Sequence, residues 1–222
     1  MSTPGTDTSI DDSASAFEGS TTDGRRLTPK AAATRNRIIE SATELFATEG
    51  YAAVSVREVA ARSGVTSGAI YATFRGKADM LIEALRASIA IDLNDVPIDV
   101  LTLPLPQIDA FQFTSGETPR RQRLRMLMIE AAVAARTDTA VRDQLGALLT
   151  ERLAEWTASH EEWQRVAKVD GALDMRQLTA LLMCVEIGAG VMASAGIDAP
   201  SAEQTALLVE RMLQGLVPRR PR

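Results

Sequence analysis

Apolar residues in this chain recur at helical spacing, and nowhere do they alternate long enough to build a strand. From Thr28-Pro29 onward, Ile38, Ile39, Ala42, Leu45 and Phe46 follow the i, i+3, i+4, i+7 rule, and Gly50 is placed to end that helix. Ser55-Val56-Arg57-Glu58 reads as a capping box that opens a second helix, with Val56, Val59 and Ala60 on its apolar side and Gly64 as its stop. Thr66 caps a short third helix reaching Phe74. A fourth starts near Gly76 and repeats through Met80, Leu81, Ala84, Leu85 and Ser88. The helical period returns over 119–136, over 138–169 with a break near His160, over 174–195, and over 201–216 behind a second capping box, Ser201 to Gln204. The expected fold is all-α.

Between these helices lie two stretches of different character. Residues 1–27 are rich in Ser, Thr, Gly and Asp, lack apolar periodicity, and read as a disordered tail. Residues 94–119 are broken by Pro97, Pro104, Pro106 and Pro119, yet carry Val96, Ile98, Leu101, Leu103, Leu105, Ile108, Phe111 and Phe113. An apolar loop of that length is expected to cover something. The organisation expected is a tail over 1–27, a small helical domain over 28–76, a larger helical domain over 77–217 and a basic tail over 218–222.

Charge separates the parts further. The net −5 of the chain hides a block at residues 25–86 with ten bases against six acids, flanked by acidic sequence on both sides. A basic block inside an acidic protein is where a polyanion would be sought. Single copies of cysteine (Cys184) and histidine (His160) exclude an internal disulfide framework, a cysteine-cluster zinc site and a two-histidine metal or catalytic site. No metal or cofactor is expected, and no spacing of acid, base and nucleophile suggests an enzyme. Without a secretory leader pattern, the expected location is the cytoplasm. The apolar run from Leu178 to Ala195 is interrupted by Glu186, so it reads as a helix buried on most faces rather than a membrane span.

The run from Val56 to Lys77, VREVAARSGVTSGAIYATFRGK, has the order of a helix-turn-helix: helix, a turn at Gly64, and a second helix capped by Thr66. Ala60 is small where two helices would cross, Gly64 can adopt the left-handed turn, and Val65 and Ile70 can fill the wedge between the helices. Thr66 to Thr73 would be on the order of 12 Å long, which suits a major groove of about the same width. Its outward face, Thr66, Ser67, Gly68, Ala72 and Thr73, is small or polar and can approach bases without a steric barrier. Arg57, at the start of the preceding helix, is placed to reach a phosphate backbone, as are Arg35 and Arg37. Lys77 stands in the first turn of the fourth helix, where the dipole disfavours a cation unless a phosphate shares the site.

Here the sequence resembles the TetR family of transcriptional regulators. Leu45, Phe46, Gly50 and Tyr51 match the end of that family's first helix. Val59, Ala60, Gly64, Val65, Thr66, Gly68, Ile70, Tyr71, Phe74 and Lys77 match its helix-turn-helix signature, while Thr73 departs from the histidine that many members carry there. The resemblance covers residues 34–85. It implies a three-helix DNA-binding domain followed by a larger ligand-binding and dimerisation domain, with Tyr71 pointing its hydroxyl at a phosphate.

Three expectations follow for the rest of the chain. The first partner is a double-stranded DNA operator of palindromic form, bound by a homodimer. The dimer contact is placed on Gly188 and Gly190 in one helix and on Leu208, Met212 and Leu216 in the last. The second partner is a small, mostly apolar effector that releases the DNA. Its cavity is expected between 119–136 and 174–195, lined by Met126, Ile129, Val133, Trp156 and Met183, with Glu130 or Glu186 as polar anchors that would favour a cationic or donor ligand. Cys184 is expected to be buried and inert. The competing reading is a helical carrier of a hydrophobic molecule with no DNA role, which leaves the helix-turn-helix spacing unexplained.

Overall fold

The computed structural model describes residues 28–94, 119–167 and 171–197, and every regular element among them is an α-helix. Seven are described: α1 (Pro29–Glu49), α2 (Val56–Ser63), α3 (Ser67–Tyr71), α4 (Lys77–Asn94), α5 (Pro119–Ala134), α6 (Thr139–Ala167) and α7 (Met175–Ser194). The expected tails, the apolar cover at 95–118 and the helix at 201–216 lie outside the described residues.

The local signals act where the sequence places them. Thr28 takes extended backbone, its Oγ1 accepts from the Ala31 amide, and Pro29 opens α1 where a missing N–H costs nothing. Ser55 and Glu58 form the reciprocal capping box of α2, and Gly64 ends that helix at φ 67°, in the left-handed region. Asp174 caps α7 by accepting from the Gln177 amide.

Helix α4 is the spine. It packs against α1 on one side and against α5 and α6 on the other, while α7 lies on α5 and α6. One continuous apolar core joins Ile38, Phe46, Val59 and Ile70 to Met80, Leu81 and Leu85 of α4, then to Leu127 of α5 and Leu148 of α6, all essentially inaccessible to water. Each such side chain contributes roughly 1.5–3 kcal/mol on burial. The helix-turn-helix therefore shares its core with the helices behind it, and α5 packs directly against α1.

Three expectations need correction. Helix α6 runs without a break through His160, whose Nδ1 lies 2.6 Å from Thr179 Oγ1 of α7, so that residue is a half-buried interhelical contact. Helix α7 is not buried on most faces. Leu181, Cys184, Val185, Val191 and Met192 are exposed along it, and Met175, Thr179 and Gly190 form its buried side. Cys184 is thus an exposed thiol. Among the described residues α7 is also the one helix long and apolar enough to cross a membrane by length and composition. Its packing on α5 and α6 is that of a helix in a bundle.

A candidate DNA-reading face and an apolar cavity

The helix-turn-helix is assembled from α2 and α3 against α1. Val59 and Ala60 are buried, Ile70 fills the wedge between the helices, and Val65 packs against the same core from the turn. Ser63 Oγ donates to the Val59 carbonyl at 2.7 Å, which closes the end of α2. The recognition element is shorter than its sequence suggests. Helix α3 has five residues, and Thr73 and Phe74 both return their amides to the Ile70 carbonyl as the chain turns away. Phe74 then seals the core.

Each of the sequence-assigned DNA residues has a definite place. Ser67, Gly68, Tyr71 and Ala72 form the outer surface of α3. Tyr71 is 61% exposed and so is not a core tyrosine. Thr66 stands at the N-cap and its Oγ1 accepts from the Ala69 amide at 3.2 Å, whereas Thr73 Oγ1 donates to the Ala69 carbonyl at 3.0 Å. These two hydroxyls hold the ends of the element and leave the middle to face outward. Arg57 is exposed on α2. Exposed Arg75 follows in the turn after α3, a cation that spacing arguments alone pass over. Arg35 is not a backbone contact. It is buried, paired with Glu83 of α4, and stacked 5.6 Å from the Phe74 ring centroid.

Lys77 is half-buried beside the α1–α2 turn rather than projecting alone. Its Nζ lies 4.4 Å from the Tyr51 ring centroid and donates to the Ala52 carbonyl at 3.4 Å. Burial lowers its pKa below the ordinary lysine value, against the opposing pull of Glu58 and Asp138. Tyr51 is the hub of this corner. Its hydroxyl donates to Asp138 Oδ2 at 3.1 Å, its ring leans on Phe46, and its amide donates to Glu130 Oε2 at 2.6 Å. Burial, then the bond to Asp138, raises the phenol's pKa well above the usual tyrosine value. Asp138 in turn caps α6 through the Ala140 and Val141 amides.

Glu130 is therefore no ligand anchor. It clasps the α1–α2 turn, and a side chain on Gly50 would meet its carboxylate at 3.2 Å. Val133 is 57% exposed and Met126 reaches toward Ser194 Oγ, so neither lines the cavity. The cavity itself is real, at about 80 Å³, half-open, and bounded by Ile89 of α4, Leu124, Met128 and Ile129 of α5, Leu149 and Trp156 of α6, and Met183 and Ile187 of α7. Ile129, Trp156 and Met183 are where the sequence put them. Arg125 and Arg152 complete the wall, and neither was expected there. Arg152 shares a helical face with Leu149 and Trp156 at i−3 and i+4, which is the signal that would have found it. The side chain of Glu186 lies outside the described residues, as do Leu208, Met212 and Leu216.

The two glycines assigned to a dimer contact part company. Gly190 is buried against the Arg125 side chain, where an added Cβ would come within 3.1 Å, so its small size serves the protomer's own α5–α7 packing. At Gly188 an added Cβ would meet nothing within 4 Å.

Residues 38–84 match the family model for bacterial regulatory proteins of the tetR family. The regulator SrpR of Pseudomonas putida is 39% identical over 75 residues, covering 34% of this chain and 33% of that protein. The matched segments span from about a fifth to about half the length of the curated relatives. Beyond the N-terminal domain the likeness is one of fold. A TetR-family regulator from Cytophaga hutchinsonii superposes with a TM-score of 0.69 at 16% identity over 88% of this chain and all of that one. A Saccharomonospora viridis protein in complex with choline gives 0.63 at 18% identity over 85% of this chain and all of that one.

Proposed function

We propose that residues 38–84, which match the family model for bacterial regulatory proteins of the tetR family, form a DNA-binding domain, and that the chain is a cytoplasmic, ligand-responsive repressor that binds a palindromic operator as a homodimer. The observation that carries the reading is the outer surface of α3. Ser67, Gly68 and Ala72 offer no bulk there, and Tyr71 stands exposed beside them on an element fixed at both ends by its own threonines. A carrier without a DNA role has no use for that surface. In the proposed complex α3 enters the major groove and reads base edges through Ser67 and its neighbours, while Tyr71, Arg57 and Lys77 hold phosphates.

The test is a binding isotherm for the intact chain on genomic duplex fragments at several salt concentrations. Affinity should fall linearly on a log–log plot with a slope of about −0.9 per phosphate contact. Absence of any salt-dependent duplex binding would overturn the proposal.

Dimerisation is assigned to the exposed apolar face of α7, where Leu181, Val185 and Met192 run past Gly188 in one stripe. A face of that composition on a protomer marks an interaction surface. Because Gly188 is open within the protomer, Gly188→Leu should leave the monomer folded and weaken the dimer by roughly 1–3 kcal/mol through overpacking. Sedimentation equilibrium reads this directly. An unchanged dimer constant would move the interface elsewhere.

The route from effector to DNA is short. Met128 and Ile129 line the cavity, and the next residue on α5, Glu130, holds the Tyr51 amide at the root of the helix-turn-helix. An effector that displaces α5 pulls on that turn, and coupling of about 1–3 kcal/mol is typical of such linked sites. Removing the clasp with Glu130→Ala should raise amide exchange at Tyr51 about tenfold or more, the equivalent of a hydrogen bond to a charged group. Exchange at the wild-type rate would show that the clasp carries no load.

A further inference from the structure

Among the described residues Lys77 carries its charge without a carboxylate in ion-pair contact. Its ammonium meets the face of the Tyr51 ring at 4.4 Å and the Ala52 carbonyl at 3.4 Å. Glu58 and Asp138 act on it only through space. Both are engaged elsewhere: Glu58 accepts from the Ser55 amide, and Asp138 from the Tyr51 hydroxyl and the first amides of α6. A ring and a carbonyl orient a cation without cancelling its charge, and an ammonium with three donors keeps at least one for an outside acceptor. The platform beneath it is fixed. Glu130 holds the Tyr51 amide, Asp138 its hydroxyl and Phe46 its ring. A phenol that donates to a carboxylate also gains negative density, which strengthens its pull on the cation. A free lysine side chain loses much rotamer freedom when it settles on a phosphate, whereas one already laid on a ring loses less. Ala52 and Ala53 beside it are small and exposed, so the approach is open.

We propose that Tyr51 is a positioning residue for DNA binding, whose ring holds the Lys77 ammonium in the orientation that meets a backbone phosphate. This inference rests on reading Lys77 as a phosphate contact and adds to it the residue that aims the contact. Tyr51 need not touch DNA itself. It acts through the cation above its ring, at the turn that leads out of α3.

Salt dependence separates aim from stability. Binding of the full chain to a genomic duplex selected by the wild type is measured at several salt concentrations, below the melting temperature of every variant. Lys77→Met should lower the log–log slope by about 0.9 per half-site. Tyr51→Leu removes the ring and should lower the slope nearly as much, with an affinity loss of about 3- to 30-fold. The double variant Tyr51→Leu/Lys77→Met should lose little more than Lys77→Met alone, because both changes remove one contact. Tyr51→Phe keeps the ring without the hydroxyl and should restore the slope. If Tyr51→Leu does not fold, pentafluorophenylalanine in place of Tyr51 makes the same test, since it has the shape of phenylalanine with the charge of its face reversed. It should lower the slope where Tyr51→Phe does not. A ring that served packing alone would move the melting temperature and leave the slope as it is. A wild-type slope in Tyr51→Leu beside a lowered one in Lys77→Met would overturn the proposal while leaving Lys77 on a phosphate. So would fully additive losses in the double variant. An unchanged slope in Lys77→Met would take Lys77 off the phosphate, and this inference would fail with that reading. A wild-type chain that selects no duplex would end both.

Discussion

Gly68→Glu is expected to weaken operator binding at least about 100-fold while leaving the fold untouched, because like charge brought against DNA costs several kcal/mol. Gly68 lies on the exposed surface of α3, and a side chain there would meet only Thr66 Oγ1, at an ordinary 3.7 Å. The backbone needs no positive φ at this position, so a side chain is accommodated without strain and even raises local helix propensity. What changes is the surface offered to the groove. A carboxylate would meet the negative potential of the phosphates in each half-site, and its bulk would hold α3 away from the bases. Fluorescence anisotropy on a duplex operator measures the loss, and a melting temperature within about 2 °C of wild type would show that folding is spared. Gly68→Ala adds a methyl group without charge and should stay much closer to wild type. Wild-type affinity in the glutamate variant would mean that α3 does not enter the groove.

How much of this was legible in the sequence depends on the range over which each signal acts. Thr28, Ser55, Gly64 and Thr66 bond within three to five residues of themselves, so their roles could be read directly and the structure has each in place. The length of α3 could not be read as well, because Thr73 and Phe74 obey the helical period while their amides already converge on one carbonyl. Long-range partners are invisible to periodicity. Glu130 looks like a free carboxylate on an apolar helix until Tyr51, 79 residues earlier, is brought against it. The break anticipated at His160 does not occur, and Thr179, from another helix, meets its ring. In α7 almost every position is apolar, so no stripe distinguishes inside from outside, and Cys184 was placed on the wrong side. Arg152 shows the same limit from the other direction. It sits in the segment Glu151 to Glu155 that reads as solvated surface, yet it borders the cavity and its Nε is buried.

Arg35→Met should cost about 3–5 kcal/mol of stability, the usual penalty for removing one member of a buried ion pair. The guanidinium of Arg35 is buried on α1, pairs with Glu83 of α4 and lies over Phe74, so one side chain ties together the first helix, the spine and the end of the helix-turn-helix. Its place on the buried stripe with Ile38, Ile39 and Ala42 is the sequence signal that it points inward. Without it Glu83 keeps a contact to Arg86 at 3.8 Å, and that relief places the expected loss toward the lower end of the range. For a chain of this size each kcal/mol moves the midpoint by about 2–4 °C, so the melting temperature should drop by roughly 6–12 °C. The companion variant Arg35→Met/Glu83→Leu removes the stranded carboxylate and replaces the pair with apolar packing, which is often neutral. It should recover most of the lost stability. Operator affinity separates this core role of Arg35 from the phosphate contact that its spacing suggested. If its work is done inside the core, the refolded double variant binds DNA nearly as well as wild type, whereas a phosphate contact would be lost in both variants alike. A single variant that melts within about 2 °C of wild type would show that the pair does not hold α1 to α4.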